Sequence, residues 1–344
     1  MRQHRLEFSE PGRVVVKAGP APRPAAGEVL VQNHYSAISP GTEMLVYRGE
    51  WPAGVAVDAT IELLQGAFNY PLAYGYCAVG RVIETGRAVS GEWLNRRVFA
   101  FQPHQDLFCA GPAVLHPIPD DLDDEIALFL PSMETAVNLL LDGSPLIGEK
   151  VCVVGQGIIG LLTTALLARF PLAALVTLDA YPLRRKASLC MGADECFIPE
   201  DPSLLARLGQ GSVQGGRADL VYEVSGNPAG LDRAISLTRY SGRVVIGSWY
   251  GAKRVDIDLG SFFHRGRVAL ISSQVSSIAP ALTGRWQNSR RLNLAWEMLR
   301  QVRPTDCITQ RFALEEAAAA YALIDRRPGE TIQVVFDYRS KKEK

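Results

Sequence analysis

Three glycines and one acid carry the most specific chemistry in this chain. Gly155, Gly157 and Gly160 form a G-x-G-x-x-G within Val151–Lys186, and Asp179 stands 24 positions after the first of them. Gly155 lets the chain turn sharply out of a strand. Gly157 removes the Cβ that would keep a pyrophosphate off the backbone, and Gly160 lets a helix sit close on a sheet. The N–H groups that open that helix, those of Ile158 and Ile159 among them, have no intrahelical partner, and the helix dipole there favours a phosphate. Asp179 lies close to the roughly 20-residue spacing of an acid that binds the adenine-ribose hydroxyls. A carboxylate accepts from a free 2′-OH and repels a 2′-phosphate, which favours NAD(H). Arg184 and Arg185 pull the other way, because a nearby Arg can receive a 2′-phosphate, so NADP(H) stays possible. A glycine turn that binds nothing would use the same residues; the strand, helix and spaced acid around these favour a dinucleotide.

Those residues need elements to position them. Val151–Val154 is a short apolar, β-branched run that suits a buried parallel strand. A helical pattern runs from Leu161 to about Phe170, where Pro171 stops it, and a second apolar run, Ala174–Leu178, ends in Asp179. The rhythm continues with helices over Ala187–Met191 and Leu231–Leu237 and strands over Asp219–Val224, Gly242–Ile246 and Arg267–Ser272. Before it, Arg13–Lys17, Glu28–Tyr35, Gly80–Thr85 and Arg97–Phe101 read as short strands between Gly and Pro, the mark of a mostly antiparallel β domain. Thr135–Leu141 reads as a helix leading into the glycine unit. From about Ser277 the alternation breaks: Arg290–Arg300 and Leu314–Ile324 read as helices and Thr331–Tyr338 as a closing strand. The expected architecture is α/β: a β-rich first part over 1–131, a Rossmann doubly wound parallel sheet over 132–276, and a return of 277–344 to the first domain. Ligands of such sheets bind at the carboxyl ends of the strands, so the substrate is expected in the cleft between domains.

Bulk properties narrow the function classes. The 344 residues carry 36 Lys+Arg and 36 Asp+Glu, a balance that points to neither nucleic acid nor an anionic membrane. Met1–Glu10 is polar and charged, unlike a signal peptide. The most apolar window, Leu161–Leu178, contains Arg169 and Pro171, unlike a membrane span. Six scattered cysteines without a C-x-x-C pair read as buried thiols of a cytoplasmic protein. The tail Lys341–Lys344 reads as a frayed end.

The order of parts resembles the medium-chain dehydrogenase/reductase superfamily, the alcohol dehydrogenase-like proteins, over nearly the whole chain. Ser39-Pro40-Gly41-Thr42-Glu43 is similar to that family's C-G-T-D segment, Gly75-Tyr76-Cys77-Ala78-Val79-Gly80-Arg81-Val82 to its G-H-E-x-x-G-x-V segment, and Gly329–Val335 to its closing strand. The S-x-I-S-x-G-T-E form resembles the branch containing bacteriochlorophyllide dehydrogenases. The resemblance implies a GroES-like catalytic domain before the Rossmann sheet, a homodimer, and an NAD(P)-dependent oxidoreductase acting on a small molecule. In the zinc members a Cys, the His of G-H-E and a third Cys or Glu hold the metal. Here Pro40 or Ser39 takes the Cys position, Tyr76 the His and Cys77 the Glu, so no zinc is expected.

Without the metal, side chains must handle the proton. The resemblance makes Thr42 the counterpart of a proton-relay hydroxyl and puts the Tyr76 phenol at the zinc position, as acid or substrate anchor. Glu43 corresponds to an acid that is usually structural, and Glu134 falls near the residue that touches nicotinamide, as a base or a ligand for a substrate hydroxyl. His104, directly after a strand, titrates near neutrality and could shuttle a proton; its ordinary role would be a hydrogen bond to Asp106 or the backbone. Ser225, Gly247 and Ser248, at strand ends, should line the nicotinamide side. Gln333 stands where relatives often carry an Arg for the pyrophosphate. The expectation is a zinc-independent, NAD(H)-preferring enzyme that interconverts a secondary alcohol and a ketone on a polyhydroxylated or biosynthetic substrate. Enone or quinone C=C reduction, and a cofactor-binding protein without catalysis, remain the alternatives.

Overall fold

A computed structural model describes residues 2–56, 66–209 and 216–339; the tail Lys341–Lys344 lies outside them. The chain divides into two compact units, Met1–Phe129 with Arg303–Lys344, and Leu130–Val302.

The first unit is β-rich. A hairpin of β1 (Arg2–Glu10) and β2 (Arg13–Pro20) precedes β3 (Val29–Ala37) and the short α1 (Glu43–Arg48). Then follow β4 (Ala78–Thr85), β5 (Arg97–Ala100), β6 (Leu107–Ala110), β7 (Leu115–Pro117) and α2 (Asp124–Ala127). Both faces of β3 are largely covered, and Val29, Leu30, Val31, Tyr35 and Ala37 are all buried.

The second unit opens with α3 (Leu130–Gly143). Then come β8 (Lys150–Val154), α4 (Ile158–Leu167), β9 (Ala174–Leu178), α5 (Pro182–Cys190), β10 (Glu195–Phe197), α6 (Leu204–Gly209), β11 (Ala218–Glu223), α7 (Pro228–Leu237), β12 (Thr238–Ile246), α8 (His264–Gly266), β13 (Ala269–Ser272) and α9 (Asn288–Val302). Its six strands pair in the order β10-β9-β8-β11-β12-β13, all parallel. The order reverses between β8 and β11, the switch point at which doubly wound sheets leave room for a ligand. The buried runs Val151–Val154 and Leu175–Leu178 lack polar alternation because helices cover both faces of such a sheet. The sequence placed the break in rhythm at 277; α9, beyond that point, packs on α3 and clusters with the second unit.

The chain ends with β14 (Ile308–Phe312), α10 (Ala317–Arg326) and β15 (Gln333–Asp337) in the first unit. β15 inserts between β14 and β3, with Phe336 opposite Ser36, and completes a seven-stranded sheet. The described helices include none long and apolar enough to cross a membrane.

Candidate functional site

In the second unit, the strand-to-helix turn after β8 has the shape its glycines suggest. Gly155 sits at φ +96°, a left-handed conformation that L side chains rarely adopt, and its N–H donates to Leu178 O at 2.8 Å. Gly157 caps α4 with φ −67°; a Cβ built there meets nothing closer than Arg184 Nη1 at 4.0 Å. At Gly160 the helix passes so near the turn that a Cβ would lie 1.9 Å from Gly155 O. Ile158 and Ile159 begin α4 behind this cap. Below the turn the buried side chain of Gln156 donates to Gly155 O at 3.0 Å and accepts from Thr164 Oγ1 at 3.0 Å, a support the motif alone did not announce.

Asp179 leaves the tip of β9 almost fully buried. Its Oδ2 accepts from Gln156 N at 2.7 Å and its Oδ1 from Tyr181 N at 2.8 Å, so the carboxylate is fixed against the glycine turn. Each oxygen retains a second lone pair for a ribose hydroxyl. Of the two arginines weighed against it, Arg185 directs Nη1 to the carbonyls of Asp179 and Ala180, at 3.0 and 2.7 Å, and Arg184 lies over the Tyr181 ring at 5.0 Å.

Ser225, Gly247 and Ser248 do gather at the carboxyl ends of β11 and β12. The Ser225 hydroxyl donates to Glu223, the Ser248 hydroxyl accepts from Gly226 N at 2.8 Å, and Gly247 N donates to Glu223 O at 2.9 Å. Glu223, fully buried and bonded also by Tyr250 OH, organises this turn, and sequence reasoning passed over it. Its signal was the one that exposed Asp179: an acid closing an apolar parallel strand.

In the first unit, three hydroxyls meet. Tyr76 OH donates to Ser39 Oγ and lies 3.4 Å from Thr42 Oγ1. Burial pushes the Tyr76 phenol up to about 12, so it is neutral and able to donate across the physiological range. Thr42 occupies the N-cap of α1 without capping it through its side chain, which leaves Oγ1 turned to the phenol. Ser39 was considered from the sequence only as a lost ligand position.

Glu43 and His104 lie in the interior of the first unit. Both are fully buried, and they bond each other, Glu43 Oε2 to His104 Nε2 at 2.9 Å. Glu43 also accepts from Ser39 N at 2.8 Å and from Tyr321 OH, while His104 Nδ1 lies 2.6 Å from Ser36 Oγ, itself 2.7 Å from Tyr338 OH. A neutral imidazole donating through Nε2 and accepting through Nδ1 satisfies every member of this chain. The loop bond from His104 to Asp106 does not form, because Asp106 takes the backbone and ring of His4 instead. With no exposed surface, His104 is no solvent-facing proton shuttle; it fixes Glu43, and Glu43 fixes the Ser39–Thr42 turn.

Glu134 is likewise committed. Its Oε1 pairs with the buried Arg291 of α9, Nε and Nη2 both at 3.1 Å, so the carboxylate read as a possible base is one half of an ion pair. Desolvation raises its pKa, against the pull of Arg291. Beside this pair, the Arg290 guanidinium at the start of α9 lies 4.2 Å from the Trp286 ring centroid and bonds Arg285 O. Gln333 is buried and donates to Ile38 O at 2.7 Å and Val334 O at 3.0 Å.

The donor chemistry at the Cys77 and Tyr76 positions does not suit zinc. The Cys77 thiol donates to Leu128 O at 2.9 Å, and burial raises its pKa well above the usual thiol range, whereas zinc takes the thiolate. Among the described residues no three His, Cys, Asp or Glu side chains group as a metal site.

A family model described as zinc-binding dehydrogenase matches residues 159–292. The chain is 26% identical over 258 residues to an L-threonine 3-dehydrogenase of Xanthomonas oryzae pv. oryzae, covering 66% of this chain and 71% of the relative. Among solved structures, an Escherichia coli alcohol dehydrogenase complexed with NADH superposes with a TM-score of 0.77 at 17% identity, covering 98% of this chain and 99% of that one. An NADP-bound, zinc-binding dehydrogenase from Sinorhizobium meliloti does so with a TM-score of 0.76 at 18% identity and the same coverage.

Proposed function

Because the chain belongs to the medium-chain dehydrogenase/reductase superfamily, we propose that it is an NAD(H)-preferring oxidoreductase that interconverts a secondary alcohol and a ketone without zinc. The substrate is a polyhydroxylated or biosynthetic small molecule. The observation that carries the reading is the Asp179 carboxylate, held by two backbone N–H groups against a glycine turn with open space at Gly157. A pyrophosphate fits where a Cβ at 157 would sit, with the first N–H groups of α4 and the nearby Arg184 as its partners. The bound nicotinamide supplies or accepts the hydride. The chain's own groups manage the proton: in ketone reduction the Tyr76 O–H turns from Ser39 Oγ to the carbonyl oxygen and gives up its proton, the Ser39 and Thr42 hydroxyls then donate hydrogen bonds to the phenolate, and solvent returns the proton to it.

Titration of zinc-analysed protein with NADH and NADPH tests the cofactor half. NADH should bind at least about tenfold tighter, and Asp179→Ala should erase the difference. A preference for NADPH would put Arg184 and Arg185 above Asp179 and bring enone or quinone reduction forward. One zinc per chain would end the Tyr76 mechanism, and NADH binding without turnover on any alcohol or ketone would leave a cofactor-binding protein.

The proton half has a pH signature. An acid catalyst works while protonated, and the raised Tyr76 pKa moves its loss from about 10 to about 12. Ketone reduction should therefore stay level as pH passes through about 10. Tyr76→Phe should lower kcat by about 100-fold or more. A wild-type rate that halves near pH 10, or a Phe variant with full activity, would remove Tyr76 from the chemistry.

We place the protein in the cytoplasm on the strength of its six unpaired cysteines. We assign it a homodimer through β13, an edge strand whose Ala269, Leu270 and Ser272 are exposed. Light scattering on the titration sample checks this; a monomer rejects it.

A further inference from the structure

We propose that Arg291 is a positioning residue for the nicotinamide half of the cofactor, an inference that rests on the dinucleotide reading above. The strand order sets the direction. Asp179 marks the adenine-ribose end at β9 and the glycine turn puts the pyrophosphate over β8, so the nicotinamide falls on the far side, over the carboxyl ends of β11, β12 and β13. The segment leaving β13, Ser273–Ser277, borders that place.

This segment is tied down by a polar stripe. Glu134, Asn138 and Asp142, each four residues apart, lie along one face of α3. Ser273 Oγ donates to Asp142 Oδ2 at 2.6 Å and accepts from Asn138 Nδ2 at 3.1 Å. Arg291 reaches in from α9 with its side chain almost fully enclosed. Its guanidinium bonds Glu134, Asn138 Oδ1 at 2.6 Å, Ser277 O at 3.2 Å and Val275 O. All three guanidinium nitrogens are thus in use, and two of the acceptors are main-chain carbonyls of one exit segment.

Packing alone does not require this arrangement. Apolar side chains of similar volume would hold α3 against α9 at least as well, since a buried charge carries a desolvation cost. What the guanidinium adds is direction: it fixes where the carbonyls of Val275 and Ser277 point, and with them the face the segment turns to the strand ends.

The test compares NADH with ADP-ribose, which lacks the nicotinamide and engages only the β8–β9 side. Both are titrated into the wild-type protein, Arg291→Met and the double variant Arg291→Met/Glu134→Leu. The double variant guards against misfolding caused by an unpaired Glu134. Both variants should bind ADP-ribose within about twofold of wild type and lose about tenfold or more on NADH. Equal weakening of the two ligands, or no weakening of either, overturns the inference and leaves Arg291 as a packing residue. If the wild type binds neither ligand, the dinucleotide reading falls first and takes the inference with it. If it binds both and the variants keep the wild-type ratio, the inference alone fails.

Discussion

Gly160→Ala should cripple the fold of the second unit, while Gly157→Ala should leave the fold intact and cripple dinucleotide binding. At Gly160 an added Cβ would lie 1.9 Å from Gly155 O and 2.9 Å from Gly155 C, both main-chain atoms of the turn itself. No rotamer relieves that overlap, so either α4 slides off the sheet or the turn opens. Overpacking of this kind costs about 3 kcal/mol or more, which lowers Tm by roughly 6–12 °C in a unit of this size. At Gly157 the backbone is already in a region open to alanine, and the nearest atom to a new Cβ is Arg184 Nη1 at 4.0 Å. The stability loss is that of a weakened N-cap, under about 1 kcal/mol. The methyl would, however, fill the space a pyrophosphate needs, so NADH and ADP-ribose should both weaken by more than about tenfold. Thermal melts and titrations of the two variants check the contrast. A Gly157→Ala protein that binds NADH like wild type would show that the phosphates do not use this turn.

The same region shows why some of the molecule was readable in advance. Ala174–Leu178 is a strand at the bounds its sequence suggested, because four apolar residues and a β-branched threonine stand between a proline-bearing turn and an acid. Asp179 was legible for the same reason. β1 was passed over because only Leu6 and Phe8 mark its buried side among seven polar neighbours, and β10 because three half-buried residues make no pattern. Tyr76 and Thr42 could be named from a resemblance, but the hydroxyl of Ser39 between them could not be given a role, since the fold decides which way a turn residue points. Arg291 did leave a trace. In α9 it shares a buried stripe with Ala295, Trp296 and Leu299, so an arginine sits where helical periodicity calls for an apolar residue.

The hydroxyl cluster of the first unit depends on the backbone that holds it. In the turn Ser39–Glu43 and at Tyr76 hydroxyls meet, and the carboxylate behind them is turned inward. A metal needs charged or soft donors at fixed distances. A hydroxyl cluster needs a rigid backbone, because each O–H rotates to suit its neighbours and only the oxygen positions are set. The burden of precision in such a cluster therefore falls on the groups that hold the turn.

Glu43→Ala should accordingly be among the most destabilising single substitutions in the first unit. The carboxylate has no exposed surface and serves three donors, Ser39 N, His104 Nε2 and the Tyr321 hydroxyl. Its removal strands all three in a low-dielectric interior where water cannot replace it, a loss of about 3–5 kcal/mol and about 10 °C in Tm. Glu43→Gln keeps the volume and one acceptor oxygen and should lose about half as much. His104→Ala should resemble Glu43→Ala, and combining the two should cost less than the sum, since each removes the other's partner. ADP-ribose affinity should hold in all four variants, because the glycine turn belongs to the second unit. Melting curves of the single and double variants decide the point. Additive losses would mean that Glu43 and His104 act separately, and a Glu43→Ala protein that melts like wild type while losing activity would return the acid to the chemistry and remove it from the scaffold.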